Sequence, residues 1–101
     1  MKMEINGDAL RVSSISQLGE PNAKAFRDWV RAAFKKGHRN IEVDLSQTTF
    51  VDSSGLGALI ALHKTAASRQ GRLLLLNPQP SIRQIIQLTR LDGVLEIAKT
   101  E

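Results

Sequence analysis

Cysteine is absent from the 101 residues. That excludes a disulfide framework and any thiolate metal site, and it is in keeping with a reducing compartment. Tyrosine is also absent, and the aromatics amount to one Trp and three Phe, so a core drawn from 42% hydrophobic residues has to be mainly aliphatic. No apolar run approaches the roughly 20 residues that span a bilayer. Met1-Lys2-Met3-Glu4 lacks the apolar stretch of a signal peptide. These absences give the expectation of a soluble, cytoplasmic protein without membrane insertion, and the length gives one small domain over residues 1–101. The usual catalytic signatures are missing too. There is no Gly-x4-Gly-Lys phosphate loop and no Gly-x-Ser-x-Gly elbow. Gly55-Leu56-Gly57 is too short for a nucleotide site, and His38 and His63 stand alone in the sequence. The chain therefore reads as a non-enzyme needing no cofactor and no metal.

What is present begins with charge. The formal net charge is +4 and the pI about 10. Arg27, Arg31, Lys35, Lys36 and Arg39 form a basic cluster. It reads first as the solvated face of a helix, and second as a docking surface for an acidic protein or nucleic acid. Direct nucleic-acid binding is not expected, because neither stacking aromatics nor a groove-reading motif accompanies the cluster.

In chain order, Met3–Val12 reads as a hairpin, with Asn6-Gly7 the stronger and Gly7-Asp8 the weaker turn signal. Leu10 and Val12 are expected inward and Arg11 and Ser13 outward. Ser13–Glu20 reads as a loop. A helix opens at Pro21 or Asn22, with Phe26, Trp29, Val30, Ala33 and Phe34 forming its apolar stripe and Gly37 its stop. Ile41, Val43 and Leu45 alternate with Glu42 and Asp44 as a strand. Leu73–Leu76, between Gly71 and Asn77-Pro78, fits a strand buried on both faces. Between these strands lies a second helix running to about Ser68, so the segment makes a βαβ unit with parallel strands and a right-handed crossover. Its inner face is expected to hold Leu56, Leu59, Ile60, His63 and Ala67, with Gly57, Ala58 and Ala61 letting it lie close to the sheet. Leu59, Ile60, Leu62 and Leu74 are expected to be buried. Pro80 or Ser81 opens a last helix with Ile82, Ile85, Ile86 and Thr89 on one face, and Val94, Leu95 and Ile97 fit a short edge strand. The fold class is α/β: a mixed sheet with an antiparallel N-terminal hairpin and helices packed on it.

The stretch that organises the rest is Phe50-Val51-Asp52-Ser53-Ser54-Gly55-Leu56-Gly57-Ala58-Leu59-Ile60. An apolar pair ends a strand-like run, three polar residues of cap type follow, and helical spacing begins at Leu56. Asp52 and Ser53 both qualify as the cap. With Asp52 there, Val51 and Leu56 take the two positions of a hydrophobic staple. Either way two serine hydroxyls stand at the positive end of a helix. They serve as caps at the least. A phosphate there would add roughly −1.5 to −2 charge at a place where free N–H groups and the helix dipole tolerate it, and its effect would fall on a docked partner.

Asp-Ser-Ser-Gly-Leu-Gly after an apolar pair and before an Ala/Leu-rich helix resembles the signature of the STAS domain, and within it the single-domain anti-sigma-factor antagonists of bacteria. The likeness in layout runs from about Leu10 to Ile97. The resemblance implies a STAS-like fold and a phosphorylation-controlled binding switch. Ser53, directly after the aspartate, would be the phosphoacceptor in preference to Ser54. Asp52, Ser53, Ser54, Gly55 and Leu56 would form the partner-binding surface. The partners implied are an anti-sigma factor that is also the serine kinase, bound when Ser53 is unphosphorylated, and a phosphatase that reverses the mark. The second function implied is a constitutive STAS-type scaffold subunit of a lipid-transport ATPase complex. One departure from the family pattern is plain: where a Gly-x-Leu-Asp element is usual, this chain has Ser16-Gln17-Leu18-Gly19, followed by Glu20-Pro21.

Overall fold

In the computed structural model, residues 1–35 and 37–98 are described. The chain opens with β1 (Lys2–Asn6) and β2 (Ala9–Ser13), an antiparallel hairpin in which Asn6 faces Ala9. The turn residues are thus Gly7 and Asp8. Only Gly7 has positive φ, +65°, the combination a type II′ turn uses. The Gly-Asp pair, the weaker signal in the sequence, makes the turn.

From β2 onward every pairing is parallel. β4 (Asn40–Asp44) lies beside β2, β6 (Leu73–Leu76) beside β4, and β7 (Glu96–Ala98) beside β6, giving the order β1-β2-β4-β6-β7. The helices α1 (Ala23–Ala33), α2 (Ser53–Ala67) and α3 (Pro80–Leu88) are the connections that parallel neighbours require. A 3-10 turn, Leu91–Gly93, leads from α3 into β7.

All three helices share one aliphatic core with one face of the sheet. Phe26 and Val30 of α1, Leu59 and Leu62 of α2, and Ile82 and Ile86 of α3 pack with Leu10, Val12, Ile41, Val43, Leu73 and Leu75. The other face stays open. Glu4, Arg11, Glu42, Leu74 and Glu96 align across it in register, and Arg11 Nε sits 2.9 Å from a Glu42 carboxylate oxygen.

That asymmetry corrects several expectations. Leu74 is half-buried, because the strand carrying it is covered on one side only. Ile60 is likewise half-buried against the edge of the core. Trp29 is 41% exposed: α1 turns Ala23, Phe26, Val30 and Phe34 inward, and Trp29 falls outside that arc. On α2 the buried set is Gly55, Leu56, Ala58, Leu59, Leu62 and Ala66, so His63 is half-buried and Ala67 exposed. Thr89, placed on the inner face of the last helix, is exposed beyond the end of α3.

Ser13–Glu20 is not all loop. Gln17–Leu18 forms β3, which pairs in parallel with β5 (Phe50–Val51) in a separate two-stranded sheet. This small sheet brings the first loop of the chain against the start of α2. Among the described residues, no helix is long and apolar enough to cross a membrane.

Candidate functional site

Asp52 is the N-cap of α2. Its backbone is extended, and its Oδ1 accepts from the Gly55 N–H at 3.0 Å, satisfying one of the helix's unpaired donors. Val51 and Leu56, at the staple positions this cap creates, are both buried in the core. The second carboxylate oxygen reaches across the fold: Oδ2 accepts from the Glu20 N–H, 3.0 Å away and 32 residues earlier. The hydrogen bonds from Glu20 and Gly55 hold the Asp52 carboxyl below its ordinary pKa, outweighing the opposing effect of partial desolvation.

The altered loop is what Asp52 holds. Gly19 lies against it: a Cβ there would come within 2.8 Å of Oδ2 and of the Phe50 ring. Asn22 then pins the loop from the other side. Its Oδ1 accepts from the Gly19 N–H at 2.9 Å and its Nδ2 donates to the Gln17 carbonyl at 2.8 Å. Leu18 is fully buried, and its carbonyl accepts from the Asp52 N–H at 3.3 Å. The glycine that permits close approach here is Gly55, whose Cβ would run into the Leu18 carbonyl oxygen; Gly57, expected to play that part, faces open space. Sequence reasoning named Asn22 as a helix start and Leu18 and Gly19 as part of the altered element, but missed that they pack around Asp52. The signal available was an Asn at cap spacing from the loop glycine.

Ser53 and Ser54, the first two residues of α2, are exposed. Among the described residues neither hydroxyl has a hydrogen-bond partner. Gly55 and Leu56 are buried and present no side chain to a partner. The accessible part of the motif is therefore the two serines and the outer side of Asp52, with Phe50 beside them at 49% exposure. Ser54, but not Ser53, also lines a concavity of about 370 Å³ between α1 and α2, with Glu20, Lys24, Arg27, Gly57 and Ala58. Of the basic cluster, Arg27 borders this concavity and Arg31 reaches Thr65 of α2 at 3.2 Å. Arg39 lies at the opposite end, bonding the Gln70 carbonyl. Lys35 is exposed near Arg69, and Lys36 lies outside the described residues. No group of three or more acidic, His or Cys side chains able to hold a metal exists among the described residues.

The STAS domain family model matches residues 1–101. The chain belongs to the STAS family. A Thermotoga maritima relative named "Putative anti-sigma factor antagonist" is 30% identical over 98 residues, covering 96% of this chain and 87% of that protein. The crystal structure of a Thermotoga maritima protein of the same description superposes with a TM-score of 0.88 at 27% identity, over 99% of this chain and 86% of that one. The anti-sigma factor antagonist SpoIIAA in its unphosphorylated form shares the fold, with a TM-score of 0.85 at 22% identity over 99% and 87% of the two chains. Its phosphorylated form, from Bacillus, gives 0.76 at 22% identity over 99% and 90%. The chain is thus a STAS domain similar to proteins named anti-sigma factor antagonists, and the antiparallel hairpin, parallel strands and three helices expected from its sequence are those of this fold.

Proposed function

We propose that this STAS domain binds an anti-sigma factor and that phosphorylation of Ser53 releases it. The observation that carries the reading is the exposed, unpartnered Ser53 hydroxyl at the first residue of α2, beside a cap that is already filled by Asp52. Because Asp52 does the capping, Ser53 is spare: modifying it removes no bond that holds the helix. The kinase, proposed to be the anti-sigma factor itself, transfers the γ-phosphoryl group of ATP to Ser53 Oγ. ADP leaves and the hydroxyl proton passes to a base on the kinase. A phosphatase returns the serine by hydrolysis. The new dianion lies beside the Asp52 carboxylate and in the field of the helix N-terminus, so the fold keeps it while a partner seated on Ser53, Ser54 and Phe50 meets added negative charge. That SpoIIAA has been solved in both forms with this fold supports the tolerance.

The test is the affinity of the cognate anti-sigma factor for authentic phosphoserine-53 protein against the unmodified form. Tight binding of the unmodified form and weak binding of the modified one are expected. Ser53→Ala is expected to bind and escape control, and Ser53→Asp to fold normally and bind less well. Equal affinities would remove the switch and favour a constitutive scaffold. A kinase that modifies Ser54 alone would move the site by one residue.

A further inference from the structure

The seam between α1 and α2 has a chemistry that the capping and the fold do not use. Lys24, Arg27 and Arg31 recur at helical spacing and so share one side of α1, spread over about 10 Å of its axis. The two helices run alongside each other in the same direction. Lys24 and Arg27 share a concavity with Ser54, Gly57 and Ala58, and Arg31 Nε donates to Thr65 Oγ1 about two to three turns further along α2.

These cations are poorly neutralised. Among the described residues neither Lys24 nor Arg31 has a carboxylate partner. Arg27 pairs with Asp28 at 3.2 Å, a solvated pair of chain neighbours that exchanges readily. Glu20 is the carboxylate at the mouth. The floor between the cations is open. No heavy atom stands within 4 Å of where a Cβ on Gly57 would be, so nothing in the fold requires glycine there, although glycine is a poor helix residue.

We infer that this seam is the docking groove for an acidic segment of a partner protein, entered beside Ser54 and gripped by Lys24, Arg27 and Arg31. The inference rests on the reading of the chain as a partner-binding protein and gives that partner a chemistry. Charge complementarity selects an acidic segment. The bare floor at Gly57 leaves room for its backbone, and the Ser54 hydroxyl is a donor for a carboxylate. Single-stranded nucleic acid is the poorer fit, because it binds through stacking on aromatics and none lines the groove. Trp29, the exposed aromatic of α1, falls on the opposite side of the helix from Lys24, Arg27 and Arg31.

The test needs no knowledge of the partner. The probe is an oligoglutamate peptide titrated at low salt into isotope-labelled full chain, followed by amide chemical shifts. Saturable shifts at Lys24, Arg27, Ser54 and Gly57 that fade with salt are expected. Gly57→Gln, which fills the floor without a steric conflict, and Lys24→Gln with Arg27→Gln are each expected to weaken binding about tenfold or more without lowering the melting temperature. Absent binding, or shifts scattered over Lys2, Arg72, Arg83 and Arg90, would overturn the groove. So would a single-stranded oligonucleotide of equal charge that binds these residues more tightly than the peptide. Failure of the Ser53 switch is read separately, as equal partner affinity with and without phosphate, so the two ideas fall independently.

Discussion

The two ends of the α1–α2 layer are tied by opposite charges. At the start of α2 a carboxylate gathers N–H groups: Asp52 takes those of Gly55 and Glu20. At the far end a guanidinium gathers carbonyls: Arg69 donates to Phe34, Lys35 and His38 and stacks 4.1 Å above the Phe34 ring. His38 closes that end further, its Nδ1 accepting from the Lys35 N–H at 3.0 Å. Both arrangements follow the helix dipole, with anion at an N-terminus and cation at a C-terminus. They differ in what is left over. The Arg69 end spends its donors on the backbone around Phe34 and His38. The Asp52 end caps the helix with one side chain and leaves two serine hydroxyls exposed. A helix end becomes available for regulation when its structural work is complete without the residues that would be modified.

Four substitutions sharpen that contrast. The largest is expected from Gly55→Ala, which forces a methyl group against the Leu18 carbonyl and should destabilise by about 3 kcal/mol through overpacking. Gly57→Ala, two residues on and in open space, should instead stabilise by about 0.5–1 kcal/mol. Chemical denaturation of the pair checks both signs, and equal destabilisation would mean that α2 is seated differently on β3. Next comes Arg69→Met, which keeps an apolar stem over Phe34 but removes the donors. Its cost should be about 1.5 kcal/mol, with amide exchange accelerating around Phe34–His38 and unchanged at Ser53. Acceleration at Ser53 would show that the two ends are coupled.

The smallest effect is expected at Asp52 and appears as pH dependence. Folding lowers the carboxyl's pKa below 3.8, so its contribution is complete above that value and is lost as pH falls through the lower folded value. Asp52→Asn should therefore melt below wild type at neutral pH, and the two curves should converge in acid. A constant gap down the acid limb would mean that the carboxylate's charge contributes nothing at this cap.

Much of this was legible beforehand. Alternation through Ile41–Leu45 and helical spacing from Leu56 each carry a period long enough to read, and the bounded run Leu73–Leu76 has the length of a strand. β3 was not legible, because the two residues Gln17 and Leu18 have no period at all; what makes them a strand is Phe50-Val51, more than thirty residues later. The same holds at the site. That Asp52 or Ser53 would cap the helix was readable locally, but the choice between them, and the bond to Glu20, depend on a loop brought in from elsewhere. Gly55 and Gly57 look alike in sequence and differ only in what lies above them. Trp29 misled because a large aromatic three residues from Phe26 suggests burial, whereas α1 turns Ala23, Phe26, Val30 and Phe34 inward and leaves Trp29 outside that arc.

The β3–β5 pair has a kinetic consequence. Joining Gln17 to Phe50 closes a long loop, whose entropic cost is met only when the segments between the two strands have begun to pack. The Asp52–Gly55 cap can form within a nascent helix, but the contact between Asp52 and Glu20 belongs to the assembled domain. Before the domain assembles, the six residues of the motif stand without the Gly19–Glu20 loop against them. A partner or kinase of the proposed kind that read both together would respond to folded molecules and pass over unfolded ones.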